Sequence, residues 1–170
     1  MKNSLFVAFI GLIVFAPLAQ TEELVLPKTV PSIQLSDLEG NRINTAELGL
    51  DGPIIISFWA TWCAPCKKEL NAINELYKDW QAETGVTLVA VSIDNEKTNR
   101  SVPVYVKAKG WNYLVLLDAK GDFKNAMGVV NVPHTFLVNT KGEVVYSHNS
   151  YAAGDEAKLF EQIKKLSTEQ

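Results

Sequence analysis

The chain has 170 residues, of which 47% are hydrophobic and 21% charged, and its formal net charge at pH 7 is −3. These values are ordinary for a globular protein with enough material for one hydrophobic core. A net negative charge without a lysine- or arginine-dense patch argues against nucleic acid as the main partner.

The N-terminus has the pattern of a secretory signal peptide. Lys2 supplies positive charge, and the apolar run from Leu5 to Ala16 is short for a transmembrane helix. Cleavage after Ala19 would place Pro17 where a small residue is preferred, so a retained N-terminal anchor is the alternative. We therefore predict an exported, periplasmic or otherwise extracytoplasmic protein, with a signal segment at 1–19 and one domain at 20–170.

The first half of this domain alternates strand and helix patterns. A short strand at 32–35 is followed by a hairpin arm at 42–44, and the apolar run at 54–59 is typical of a central strand buried on both faces. Helical spacing of apolar residues then extends from Pro65 to about Ala82, and Gly85 ends the helix. The residues expected to face inward are Leu70, Ile73, Leu76, Tyr77 and Trp80.

The second half continues the alternation and closes with a hairpin and a helix. The expected elements are strands at 86–93 and 113–117, helices at 101–109 and 122–127, and hairpin strands at 135–138 and 143–146. Asp155 is the expected N-cap of a last helix, with Ala157, Phe160, Ile163 and Leu166 inward. This order predicts an α/β fold in which helices flank a central mixed β-sheet.

Both cysteines lie in the segment WATWCAPCKKE at 59–69, which suits a structural disulfide, half of a metal site or a redox-active dithiol. A disulfide across so short a loop removes little entropy from the unfolded chain, so a purely structural role is disfavoured. Cys63 falls where the strand ends and the helix begins, and a helix N-terminus favours a thiolate. Cys66 lies one turn further in. We therefore expect Cys63 to attack a partner disulfide and Cys66 to resolve the mixed disulfide.

The segment FWATWCAPC and the later VPHTFLV at 132–138 resemble the active-site motifs of the thioredoxin fold. The chain from about Pro31 to Leu166 resembles the TlpA/ResA-like branch of extracytoplasmic thioredoxins. The resemblance implies a thioredoxin-like fold with an N-terminal β-hairpin and a strand-and-helix insert between about Asp94 and Met127. It also implies that Pro133 is cis, that its loop packs beside the cysteines, and that the Val132 backbone pairs with an extended substrate segment.

By the same resemblance, the activity expected is that of a protein-disulfide reductase with no cofactor beyond the Cys63–Cys66 disulfide. The implied partners are protein thiols and disulfides, such as apocytochrome c, and an upstream electron donor bound to the membrane. We expect a monomer that does not bind nucleic acid and touches the membrane only if the N-terminal segment is retained.

Ser57 stands where thioredoxins carry a buried aspartate, and a hydroxyl cannot take up a proton from Cys66 as a carboxylate can. The resembled branch often has a glutamate three residues after the second cysteine, and Glu69 matches it. If Glu69 is partly buried, its pKa rises and it can accept and return a proton near neutral pH. The alternative is a solvated glutamate that interacts with the helix dipole.

His134 stands where the family often has threonine after the cis proline. It is expected near the dithiol, where it would line the substrate groove, stabilise a thiolate as a cation, or complete a soft-metal site with both sulfurs. Trp62 is a candidate contact for partners, whereas His148 is expected to be merely exposed. Trp59 is expected to pack under the motif, and Trp80 and Trp111 in the core.

Two other functions share the motif. One is a copper-binding redoxin or metal carrier that uses Cys63, Cys66 and His134, although the chain has only 2 methionines. The other is a thiol peroxidase that works through a sulfenic acid at Cys63. A thiol–disulfide oxidoreductase is the favoured prediction, because a Trp-Cys-x-x-Cys segment suits dithiol exchange better than either alternative.

Overall fold

The computed structural model of the chain describes residues 27–49 and 51–168. The predicted signal segment at 1–19 lies outside these residues. Among the helices of the described ranges, none combines the length and the apolar character needed to cross a bilayer. The described part of the predicted domain is built on a single sheet of seven strands.

The predicted elements are all found, with bounds shifted by a few residues. The strands are β1 Gln34–Asp37, β2 Arg42–Asn44, β3 Ile54–Trp59, β4 Thr87–Ser92, β5 Leu114–Leu117, β6 His134–Val138 and β7 Val144–Asn149. The α-helices are α1 Ala64–Thr84, α2 Ser101–Lys109, α3 Asp122–Ala126 and α4 Asp155–Thr168, and a short 3-10 helix covers Thr45–Glu47. The main change is in β7, which begins one residue later than predicted and continues to Asn149.

The strands follow the order β2-β1-β5-β4-β3-β6-β7 across the sheet. β3, β4 and β5 run parallel, and the other pairs are antiparallel. The predicted mixed sheet and N-terminal hairpin are therefore confirmed. β3 lies between β4 and β6, and every residue in it is buried, which explains its nearly continuous apolar sequence.

The two faces of the sheet carry different layers. Side chains alternate along β3, so Ile55 and Trp59 pack with helices α1, α2 and α4, whereas Ile56 and Phe58 pack with α3 on the other side. We call these the first and second faces. As predicted, Trp80 and Trp111 lie in the core. Trp59, which is expected to pack under the cysteine motif, belongs to the same first-face cluster as both cysteines.

Two predicted helix faces need correction. On α1, Leu76 is 40% exposed, because the neighbouring Tyr77 occupies the inward position. On α4, Ala157 is exposed and Phe160 is only partly buried, and the buried stripe consists of Leu159, Ile163 and Leu166. These larger side chains bury more apolar surface than a stripe that included alanine. Asp155 is the first residue of α4 rather than its N-cap, and its carboxylate accepts from the Ala152 N–H at 2.8 Å.

Candidate active site

The two cysteines lie at the junction of β3 and α1, as the sequence predicts. Cys63 is the N-cap residue of α1 with extended backbone angles, and its sulfur accepts from the Cys66 N–H at 3.2 Å. Pro65 fits the first turn, where a missing N–H costs no helical hydrogen bond. The sulfurs form a disulfide with the Cα atoms 5.4 Å apart. In the reduced protein, a Cys63 thiolate at this capping position is stabilised by the same N–H and by the helix dipole.

The cysteines differ in accessibility. Cys63 is 5% exposed and Cys66 is fully buried, whereas the neighbouring Trp62 is 62% exposed. A partner sulfur can therefore approach Cys63 only, with Trp62 as the adjacent apolar surface. This asymmetry matches the attacking and resolving roles predicted for the pair.

The backbone before β6 has the geometry implied by the family resemblance. The Val132–Pro133 peptide bond is cis, as predicted. The Pro133 side chain is buried, and its carbonyl accepts from the Ser150 N–H at 2.9 Å. Val132 is partly buried and packs against both core clusters, one of which contains the two cysteines. The position of this loop directly beside the disulfide stays a prediction.

Glu69 is buried beneath the disulfide motif with a 3% exposed side chain, so it is not the solvated glutamate of the alternative interpretation. The Thr135 hydroxyl donates to Glu69 Oε1 at 2.8 Å, and the Ser57 hydroxyl lies 3.5 Å from Oε2. Ser57 and Thr135 face each other across the antiparallel β3–β6 pair, with their hydroxyl oxygens 3.1 Å apart. Glu69 and Cys66 are three residues apart on α1, which places both buried side chains on one face of the helix.

Burial raises the pKa of Glu69 from 4.5 to about 7. The hydrogen bonds from Thr135 and Ser57 oppose this rise, and the negative charges of Asp155 and Glu156 add to it. A carboxyl group with this pKa exists in both protonation states near neutral pH. It can therefore take a proton from a neighbouring thiol and return it.

A narrow crevice connects Glu69 to the α4 side of the molecule. Its volume is about 10 Å³, roughly the space of a single water molecule. The expectation that His148 is simply exposed is wrong, because β7 continues past Tyr146 and carries this residue to within 3.3 Å of Asp155 (Nε2 to Oδ2). The crevice is lined by Glu69, Thr135, Tyr146, His148, Asp155, Glu156 and Leu159.

His134 lies on the second face of the sheet, away from Glu69. Its ring is 5% exposed and stacks on Phe136 at 4.3 Å between ring centroids. Burial lowers the pKa of His134, so a cationic imidazole that stabilises a thiolate is disfavoured. In residues 27–49 and 51–168, no group of three His, Cys, Asp or Glu side chains is arranged as a metal site would require. His134 packs against Phe136 on the second face, whereas both cysteines belong to the first-face cluster.

Two residues of the site were not singled out in the sequence. Thr135 is a polar residue within a buried strand, directly after the cis-proline segment. A polar residue at a buried strand position needs a hydrogen-bond partner, and this was the signal by which it could have been found. Asp94 was assigned only to a polar segment, yet it is 1% exposed. Its carboxylate accepts from the Thr61 N–H at 2.7 Å and the Thr61 hydroxyl at 2.6 Å, which ties the loop before Cys63 to the end of β4.

Comparison with known proteins shows the family to which the chain belongs. Residues 26–147 match the AhpC/TSA family. The chain belongs to the AhpC/TSA family. Thiol-disulfide oxidoreductase ResA of Bacillus cereus is 31% identical to this member over 150 residues, which cover 87% of this chain and 82% of that protein. Sporulation thiol-disulfide oxidoreductase A of Bacillus subtilis is 31% identical over 142 residues, which cover 83% and 84%.

Among solved structures, the solution structure of an uncharacterized thioredoxin-like protein from Porphyromonas gingivalis is 45% identical to this AhpC/TSA-family chain. The match has a TM-score of 0.73 and covers 82% of this chain and 92% of that one. The predicted thioredoxin-like fold and the resemblance to ResA-type proteins are therefore confirmed. With its Cys63–Cys66 disulfide, the chain is a thiol–disulfide oxidoreductase whose substrates are protein thiols and disulfides.

Proposed function

We propose that this AhpC/TSA-family oxidoreductase reduces disulfides of partner proteins outside the cytoplasm. The observation that supports dithiol exchange is the asymmetry of the cysteine pair. Cys63 is 5% exposed and its sulfur accepts a hydrogen bond from a backbone N–H, whereas Cys66 is fully buried. The reducing direction follows from the resemblance to the TlpA/ResA-like branch. The export step follows from the apolar run at 5–16.

The reaction begins from the reduced protein. The Cys63 thiolate attacks one sulfur of the partner disulfide, the partner's S–S bond breaks, and the first partner thiolate leaves and takes a proton from solvent. Cys66 then transfers its proton to the Glu69 carboxylate, and the resulting thiolate attacks Cys63 Sγ. The mixed disulfide breaks, and the second partner thiolate leaves and is protonated. The partner gains two electrons and two protons, and the Cys63–Cys66 disulfide forms.

The proposed contacts with the partner surround Cys63. Trp62 supplies an exposed apolar surface, and the backbone of Val132 pairs with an extended partner segment next to Pro133. His134 follows directly and is buried against Phe136, so its proposed contribution is to hold the Val132–Pro133 segment in place. No cofactor other than the disulfide is needed for this reaction.

A complete cycle needs a second partner. A dithiol donor, which we propose is membrane-bound, reduces the Cys63–Cys66 disulfide by the reverse sequence of steps. Apocytochrome c and other extracytoplasmic proteins with disulfides are the proposed substrates, and the protein is proposed to act as a monomer. Cleavage or retention of the segment at 1–19 determines whether it is released or anchored.

Trapping of the mixed disulfide tests the roles of the two cysteines. With Cys66→Ser, we expect a covalent complex between Cys63 and a protein partner, visible on a non-reducing gel and lost on addition of thiol. Cys63→Ser is the matched control and should trap nothing. Continued turnover by Cys66→Ser would show that the resolving role is wrongly assigned.

The reduction potential of the Cys63–Cys66 pair tests the proposed direction of electron flow, from this protein to its partner. Equilibration of the protein in defined thiol buffers, with free thiols counted, should give a value near or below about −230 mV for a reductase. A value near about −120 mV would identify a disulfide donor instead, and the proposed direction would then be wrong.

A further inference from the structure

Helix α2 borders an open apolar recess beside the disulfide motif. Val104 on this helix is 70% exposed, and Trp62, the residue after Thr61 in the chain, is 62% exposed. Exposed apolar side chains that line a concave surface are typical of binding sites. The recess has a volume of about 400 Å³ and is lined by Thr61, Arg100, Ser101, Val104, Tyr105 and Ala108. We call this the α2 recess.

Both walls of the α2 recess are held in place by the core. Tyr105 packs against Trp59 and Trp111, with ring centroids 5.8 Å and 5.3 Å apart. On the other wall, Thr61 is held by two hydrogen bonds from its backbone N–H and its hydroxyl to Asp94. A surface fixed in this way loses little conformational entropy when a partner binds.

The rim of the recess is positively charged, although the whole chain has a net charge of −3. Lys67 Nζ and Lys109 Nζ lie 5.5 Å and 5.9 Å from the centroid of the Tyr105 ring, and Arg100 is exposed on the lining. Within the ranges that the structure describes, no carboxylate forms a salt bridge with any of these three cations. The nearby Asp94 is buried, and its oxygens accept hydrogen bonds from Thr61 and Ser92.

We propose that the α2 recess binds the polypeptide segment next to the substrate disulfide and selects segments in which an apolar side chain is flanked by Asp or Glu. The apolar side chain occupies the recess beside Val104 and Tyr105, and the flanking carboxylates meet Lys67, Arg100 and Lys109. This inference rests on the proposed reduction of partner disulfides and adds the substrate class. Opposite charges across such a surface speed encounter and discriminate against basic partners.

Two disulfide peptides of equal length test the proposal, one with glutamates and one with lysines around a leucine next to the cysteine. The reduced full-length protein should reduce the acidic peptide about tenfold faster at low salt, and the ratio should fall as salt screens the rim charges. In Arg100→Glu/Lys109→Glu, the ratio should invert. Lys28→Glu/Lys141→Glu changes the net charge equally at the opposite end of β3 and should leave the ratio unchanged.

Rates with hydroxyethyl disulfide, which is small and uncharged, separate this proposal from the proposed function. If the wild type reduces hydroxyethyl disulfide but reduces both peptides at the same rate, the α2 recess does not select acidic segments. The selectivity proposal is then wrong, and the proposed reductase function is unaffected. If the wild type reduces none of the three disulfides, the proposed reductase function itself fails. If the wild type is a dimer in sedimentation and Arg100→Glu/Lys109→Glu is a monomer, the recess is an interface between two copies, which also overturns the inference.

For Arg100→Glu/Lys109→Glu, the quantity compared is the rate with the acidic peptide divided by the rate with the basic peptide. A general loss of activity lowers both rates and leaves this ratio unchanged. Arg100→Ala/Lys109→Ala provides a milder second variant and should bring the ratio close to one. A ratio that stays at the wild-type value in both variants contradicts the proposal. Val104→Ser should slow reduction of the acidic peptide several-fold, and an unchanged rate would show that the apolar part of the recess is unused.

Discussion

Glu69 and His134 are both buried and titratable, yet they lie on opposite faces of one sheet in different surroundings. Their exposed fractions are 3% and 5%. Burial favours the neutral form of each, since it raises the pKa of Glu69 to about 7 and lowers the pKa of His134. Glu69 is bonded to the Thr135 hydroxyl and lies one helical turn from Cys66, whereas His134 stacks on Phe136. Burial sets the preferred protonation state, and the neighbours decide whether the group can exchange a proton.

The two groups also affect stability with opposite dependence on pH. Between its unfolded pKa of 4.5 and its folded pKa of about 7, Glu69 binds a proton that the unfolded chain has released, so stability falls as pH rises. For His134, the unfolded imidazole takes up a proton below about its ordinary pKa of 6.5 that the folded state resists, so stability falls as pH drops.

The largest effect is expected from Glu69→Gln. At pH 8, the free energy of unfolding of the oxidised protein should rise by about 3 kcal/mol, because the buried carboxyl, whose pKa is raised from 4.5 to about 7, no longer has to ionise. At pH 4.5, where the carboxyl is protonated in the folded state, the two proteins should differ by less than about 1 kcal/mol. Urea unfolding at several pH values measures this difference.

Glu75→Gln, at an exposed position of the same helix, is the matched control for Glu69→Gln. A difference between wild type and Glu69→Gln that stays constant from pH 4.5 to pH 8 would show that burial does not shift the titration of Glu69 as described. In the reduced protein, the same variant should slow disulfide exchange if Glu69 accepts the Cys66 proton, and an unchanged pH–rate profile would argue against that role.

A smaller effect is expected from Thr135→Val, which removes the hydroxyl that donates to Glu69. Unfolding free energy at pH 8 should fall by about 2 kcal/mol, because a hydrogen bond to a charged carboxylate is lost, and at pH 5 by about 1 kcal/mol, because the carboxyl is then neutral. Thr135→Ser keeps the hydroxyl and should restore most of the loss. Equal losses at both pH values would mean that the hydroxyl does not stabilise the ionised form of Glu69.

The smallest effect is expected from His134→Phe on the second face. Phenylalanine has a similar shape and fits beside Phe136, so stability at pH 7 should change by less than about 1.5 kcal/mol. The loss of stability below about pH 6.5 should become shallower than in the wild type, since no imidazole remains to resist protonation. If the free energy of unfolding falls equally steeply below pH 6.5 in the wild type and in His134→Phe, the buried, neutral state of His134 is contradicted.

The sequence predicts those parts of the fold that depend on local pattern. The apolar run of β3, the helical spacing of α1 and the placement of Cys63 between them could all be identified, because strand burial, helix periodicity and helix capping are properties of neighbouring residues. The cis bond at Pro133 could be predicted only from family resemblance, since most X-Pro bonds in folded proteins are trans.

The contacts of Glu69 depend on strand pairing and could not be predicted in the same way. Its partner Thr135 is 66 residues away in sequence, and the two meet only because β6 pairs with β3 in a register that aligns Thr135 with Ser57. A shift of one residue would bring His134 to this face instead. The position of His148 depends likewise on how far β7 continues beside α4, which turn residues alone do not determine.

The crevice beside Glu69 has a consequence for how the site works while a partner is attached. Its lining comes from α1, β6, β7 and α4 and includes neither cysteine. A protein bound covalently at Cys63 occupies the surface around Cys63 and Trp62, whereas the crevice is lined by residues of β7 and α4. Because this lining does not include the cysteines, we expect Glu69 to exchange its proton through the crevice while a partner is still attached to Cys63.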